Sequence, residues 1–167
     1  PTDIMSTAWL PPRGEDQALN GGAILVTGTR EGDVLLWNTG KKGLNCVRVL
    51  EAHGKGPLIP ALSGGDLTLS GVRAMMIRDD GETLVTGGGD GKVLWWATAA
   101  LTGATRSASF KCIPHTTRSL TGDDNKTPPP IRALDCHKHS SDVMLGTHRC
   151  DIWEIDDVNG AHPMAYG

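Results

Sequence analysis

Short apolar runs bounded by Gly, Asp and Pro recur along this chain, and they recur in register. LVTGTREGDVLLW begins at Leu25, LVTGGGDGKVLWW begins at Leu84, and a weaker copy, VMLGTHRCDIWEI, begins at Val143. Three sets of anchors keep a constant step of 59 residues: the glycines Gly28, Gly87 and Gly146; the β-branched Val34, Val93 and Ile152; and the bulky Trp37, Trp96 and Ile155. A fixed period of this size marks a repeat architecture, in which one unit cannot bury its apolar face alone and does so against the next. Repeat proteins mostly present binding surfaces, so the pattern also argues against an enzyme.

The second repeat is the clearest. GVRAMMIRDDG (71–81) opens with an apolar run and closes on Asp80-Gly81, a turn signal. Residues 83–86 are β-branched and apolar and predict a strand. The glycine run 87–91, with Asp90 in it, predicts a tight turn, where glycine tolerates positive φ. Residues 92–96, apolar nearly throughout, predict a strand buried on both faces. SASFKCI (107–113) alternates and predicts a fourth strand. The first repeat reads the same way, with strands at 3–9, 23–29, 33–37 and 46–53 and a turn at Arg30-Glu31-Gly32. The third offers 130–136, SSDVMLGT and CDIWEID, with no obvious fourth strand, before an irregular NGAHPMAYG at 159–167. The predicted fold class is all-β, with about three four-stranded antiparallel units at 3–53, 72–113 and 130–158.

Two stretches break the rhythm, 54–71 (GKGPLIPALSGGDLTLSG) and 114–129, the latter overlapping TTRSLTGDDNKTPPP (116–130). Both are rich in Gly, Pro, Ser, Thr and Asp and predict long surface loops. Such loops are often functional, and a tolerated insertion explains them equally well. The Pro128-Pro129-Pro130 run reads as a stiff loop end.

Composition narrows the function classes. The 167 residues carry a formal charge of −3 and show no stripe of Lys or Arg, which argues against nucleic acid. No apolar run approaches the length of a membrane span, so no membrane association is expected. The opening PTDIMSTAWLPPRG has neither the basic start and apolar stretch of a secretory signal nor an initiator Met, and reads as part of a longer chain. Cys46, Cys112, Cys136 and Cys150 have no regular spacing and predict free thiols in a reducing compartment.

Four antiparallel strands per repeat, with a Gly-rich turn between the second and third and a Trp closing the third, resemble a blade of a WD-repeat β-propeller. The carrying residues are TGTREGDVLLWN at 27–38 and TGGGDGKVLWWA at 86–97, with Ala52-His53 where that family has Gly-His. The resemblance implies a structural hydrogen-bonded set, here His53, Thr86, Asp90 and Trp96. It fits the second repeat only. No repeat carries the Trp-Asp pair: the positions read Trp37-Asn38, Trp96-Ala97 and Ile155-Asp156, and the third repeat has Arg149 where the turn Asp would stand. More finely, GVRAMMIRDDGETLVTGGGDGKVLWW and IRALDC…DVMLGTHRCDIWEID resemble the echinoderm microtubule-associated protein-like family. That likeness implies a non-enzymatic cytoplasmic, cytoskeletal protein that binds tubulin and microtubules, with the ciliary axoneme as one location. The alternative is a generic propeller scaffold for protein assembly without tubulin affinity. Because propellers close with four to eight blades, three imply that the remainder of the same propeller chain is a partner.

The reactive residue types do not assemble into a catalytic or metal pattern. CHKH (136–139), His148 and Cys150 supply Cys and His, but fall at opposite ends of the predicted hairpin, so no metal is expected. Gly87–Gly91 lacks the Lys-Ser/Thr and the helix of a phosphate loop, and no GxSxG elbow is present. Asp123-Asp124 and Asp156-Asp157 read as solvated acids. No catalytic residue and no cofactor is expected. One rim collects the turns between second and third strands and the loops between repeats. It carries Arg30, His53, His148 and Arg149, and Arg30, His148 and Arg149 are the candidate contacts for an acidic partner such as tubulin.

Overall fold

A computed structural model describes residues 2–11, 23–40, 43–54, 58–60, 66–103, 112–120, 128–138, 140–156 and 161–163. Three four-stranded antiparallel sheets follow one another along the chain, each with its strands in sequence order. The first contains β1 (Ile4–Leu10), β2 (Ile24–Thr29), β3 (Asp33–Asn38) and β4 (Asn45–Glu51). A small hairpin, β5 (Leu58–Pro60) and β6 (Asp66–Thr68), precedes the second sheet. That sheet contains β7 (Val72–Ile77), β8 (Thr83–Gly88), β9 (Lys92–Ala97) and, after the one-turn helix α1 (Thr98–Thr102), β10 (Thr116–Ser119). The third contains β11 (Ile131–Cys136), β12 (Val143–Thr147), β13 (Ile152–Ile155) and β14 (Ala161–Pro163).

The sheets stack face to face as propeller blades, because the two middle strands of the second present apolar residues on both sides, one side to each neighbouring blade. Along β8 and β9, Leu84, Leu94 and Trp96 join Leu10, Ile24, Val26, Val34, Leu36 and Leu50 of the first blade in one core. The alternate residues Val85, Val93 and Trp95 join Ile131, Val143, Leu145, Trp153 and Ile155 of the third blade in another. The second blade is therefore buried on both faces, with Trp95 and Trp96 essentially inaccessible although adjacent in sequence. Strand alternation alone assigns them to opposite cores.

The repeating glycine explains how neighbouring blades close on each other. A Cβ at Gly28 would fall 2.5 Å from Val72 Cβ, and one at Gly87 would fall 2.7 Å from Ile131 Cγ2. Val72 and Ile131 open the inner strands of the following blades, so each glycine is a seat for a β-branched residue 44 positions further on. At Gly146, the third member of the series, a Cβ would meet nothing within 4 Å among the described residues.

Three expectations differ from the structure. The stretch 107–111, which supplies most of the fourth strand expected at 107–113, lies outside the described residues. The strand that pairs with β9 is β10, inside the stretch expected to be loop. Its threonines suit a half-buried edge, but Gly, Pro and Asp around it mask the signal. The 54–71 stretch contains the β5–β6 hairpin. The third blade has a fourth strand, β14, within the tail expected to be irregular. It pairs antiparallel with Trp153, Glu154 and Ile155, and an outer edge strand tolerates Pro163.

Candidate protein-interaction site

His53 follows β4 and reaches into the second blade. Its Nδ1 lies 3.0 Å from Asp90 Oδ1 and its Nε2 2.9 Å from Thr86 Oγ1, while the Trp96 indole N–H donates to the same Thr86 oxygen at 3.1 Å. These contacts make one directional chain. With Nδ1–H donating to the carboxylate, Nε2 is the acceptor of the Thr86 hydroxyl, which in turn accepts from Trp96. Asp90 also accepts the backbone N–H groups of Gly54 at 3.0 Å and Lys92 at 3.2 Å. Burial alone would raise the Asp90 carboxyl; the hydrogen bond and charge of His53, with those two N–H groups, outweigh it and hold it below its ordinary value. A Cβ at Gly88 would collide with the His53 ring, so glycine is what admits the imidazole. The network satisfies buried polar groups and ties the loop after the first blade to the turn of the second.

The other blades carry reduced versions. In the first, the Trp37 indole donates to Thr27 Oγ1 at 2.8 Å. In the third, Thr147 donates to Asp151 at 2.9 Å and the Trp153 indole donates to the other Asp151 oxygen at 3.3 Å. Asp151 and Trp153 escape a reading by fixed period, because one period earlier stand Lys92 and Leu94, not members of the Thr86–Trp96 set.

The candidate rim residues occupy turns at one end of the blades. Arg30 is exposed and pairs with Asp3 at 3.0 Å. Arg149 is exposed, its backbone N–H donating to Thr147 Oγ1 at 3.1 Å. His148 is half-buried, its backbone N–H donating to Pro130 at 2.9 Å. His53 is buried within its network and presents nothing to the rim. At the opposite end, Arg78, Asp79, Asp80, Lys138, Ser140 and Ser141 line an open cleft of about 800 Å³ between the turns that follow β7 and β11. Cys136 closes β11 while His148 follows the strand β12, whose end pairs with the start of β11, so these thiol and imidazole groups stand at opposite ends of the hairpin.

One face of the first blade has no neighbour among the described residues. Leu25, Thr27, Leu35 and Trp37 line it, half-buried apart from Thr27. Their repeat equivalents Leu84, Thr86, Leu94 and Trp96 are the same residue types, and in the second blade they are buried against the first. Trp9 and Val49, 57% and 59% exposed, extend the open face.

No family model and no curated protein matches the sequence. Solved structures do. U3-55K aligns over 99% of this chain and 40% of its own, with a TM-score of 0.60 at 14% identity. Saccharomyces cerevisiae Sqt1 aligns over 98% of this chain and 35% of its own, with a TM-score of 0.59 at 12% identity. Both are WD-repeat-type propellers. The fold is a partial β-propeller. The chain spans well under half of either structure it matches, and likeness at this identity establishes fold alone. Neither match bears on the narrower likeness to the echinoderm microtubule-associated protein-like family.

Proposed function

We propose that the protein is a non-enzymatic scaffold for protein–protein assembly, built on a propeller larger than these three blades. The open face of the first blade carries this reading, since its Leu, Thr, Leu and Trp repeat the set that the second blade buries. The seat at Gly146, which no described residue fills, completes the argument from the other end. Further blades of the same chain are the occupants that fit both, leaving turns and inter-blade loops as the contact surface. Affinity purification of the parent protein tests the assembly role. Stoichiometric partners lost on charge reversal of rim residues such as Arg30 support it; purification without any such partner overturns it.

The narrower reading is a tubulin-binding protein of the cytoplasmic cytoskeleton or ciliary axoneme. The blade sequences quoted above and a basic rim that would suit acidic tubulin support it. Saturable co-sedimentation with microtubules that weakens with salt would favour it. No pelleting at low salt leaves the generic scaffold.

A further inference from the structure

We propose that Arg30, Arg73 and Arg132 form a binding site for an acidic peptide segment of a partner protein, along the inner edge of the blades. The inference rests on the scaffold reading and goes beyond it by placing the site and naming its ligand chemistry.

The inner strands β1, β7 and β11 carry a register irregularity at the same point, between Ile4 and Ser6, Val72 and Ala74, and Ile131 and Ala133. The extra residue is Met5 in the first blade and arginine in the other two, Arg73 and Arg132, one repeat period apart. A bulge of this kind re-aims a side chain and frees it from the ladder. Its neighbours are committed elsewhere: Val72 and Ile131 fill the glycine seats of the preceding blades. Arg30 approaches from the turn of the first blade. A Cβ on Gly71, two residues before Arg73, would fall 2.8 Å from Arg30 Cα, so Arg30 packs directly on the entry to β7. The cations thus converge from three blades, with Arg73 between the other two. The Arg73 guanidinium is held below its ordinary range by burial first and then by the charges of Arg132 and Arg30.

Their compensation is incomplete. Asp3 pairs with Arg30 at 3.0 Å, and both side chains are more than half exposed. Among the described residues, no carboxylate pairs with Arg73 or Arg132. Converging guanidinium groups repel one another, and an anion that enters between them relieves that cost while gaining fork-shaped hydrogen bonds. The chain as a whole is acidic at −3, so the patch is local and not a consequence of bulk charge. A cradle of successive backbone N–H groups, as found around a single phosphate, is not what these strands offer, since each is an extended edge strand whose N–H groups alternate between its one neighbour and the open side. Three forks on three elements in a row suit several carboxylates along one extended chain.

The test is fluorescence anisotropy of a labelled decaglutamate peptide against the protein, from about 20 mM to about 300 mM salt. The expected result is saturable binding that weakens steeply with salt. Arg73→Gln and Arg132→Gln should each weaken it roughly tenfold, the scale of a charge-assisted hydrogen bond. Arg73→Lys should keep the salt dependence but lose part of the affinity, and Arg78→Gln at the opposite end should change nothing. Arg73→Gln should melt no lower than the parent, because repulsion is relieved, and exposed Arg132 supplies a second variant outside the core. Absence of saturable binding at the lowest salt overturns the proposal, as does binding indifferent to both Gln variants. Full competition by millimolar inorganic phosphate would replace it with a single-anion site, and tighter binding of oligothymidylate would replace it with a nucleic-acid site. If decaglutamate fails while stoichiometric partners still co-purify, the scaffold reading survives and this site does not.

Discussion

Gly87→Ala probes the mechanism by which one blade seats the next. The backbone at Gly87 is not in the left-handed region, so alanine introduces no conformational strain there. The new methyl would lie 2.7 Å from Ile131 Cγ2, 3.2 Å from Leu134 Cδ1 and 3.3 Å from Ile131 Cβ, and Ile131 is itself fully buried. Overpacking of this kind costs about 1–3 kcal/mol, offset by roughly 0.5–1 kcal/mol from replacing a strand glycine. Gly146→Ala meets open space and should show only the gain. At about 2–4 °C per kcal/mol for a chain of this size, the two variants should melt several degrees apart in residues 1–167. The decisive assay is a double-mutant cycle by equilibrium denaturation. Ile131→Ala alone should cost about 2–5 kcal/mol. Combined with Gly87→Ala, it should cost roughly 1–2 kcal/mol less than the sum, because the clashing methyl is gone. Additivity within about 0.5 kcal/mol would refute the seat. In a longer chain whose next blade occupies Gly146, Gly146→Ala should become destabilising like Gly87→Ala.

His53→Ala should destabilise by about 2–4 kcal/mol, because it strands buried Thr86 and Asp90 without their partner, and thermal unfolding measures it. Trp96→Phe removes the indole N–H that donates to Thr86, whereas Trp95 Nε1 has no acceptor among the described residues. Trp96→Phe should therefore cost about 1 kcal/mol more than Trp95→Phe in chemical denaturation. The Asp90 carboxyl is depressed in the folded state, so its contribution is complete above the unfolded value of 3.8 and is lost as pH falls through the lower folded value. Stability measured downward from about pH 4 should fall, and Asp90→Asn should flatten that part of the profile. Val72→Ala should loosen the first seat at Gly28 and cost about 1–3 kcal/mol by the same denaturation assay.

Local chemistry carried a large share of this fold. The 59-residue period, β-branched runs and Gly-containing turns are properties of neighbours in sequence, and they locate ten of the strands at or near their observed positions. The identities of His53, Thr86, Asp90 and Trp96 were legible only through the resemblance of the second repeat to a WD-repeat blade. That they form one directed hydrogen-bond chain was decided by docking the loop after β4 onto the next blade. Strands β10 and β14 were illegible, because an outer edge needs backbone pairing and little apolar pattern. The arginines hid for a different reason. Arg73 and Arg132 sit in runs that read as ordinary apolar strands; the register irregularity at each is visible only once strands pair, and the charges of Arg132 and Arg30 reach Arg73 only in the assembled fold. Sequence determined the repeating unit, since pleat and turn preferences are local. Tertiary structure decided what each unit meets, since the contents of a glycine seat depend on a residue 44 positions away and on the rotation between blades.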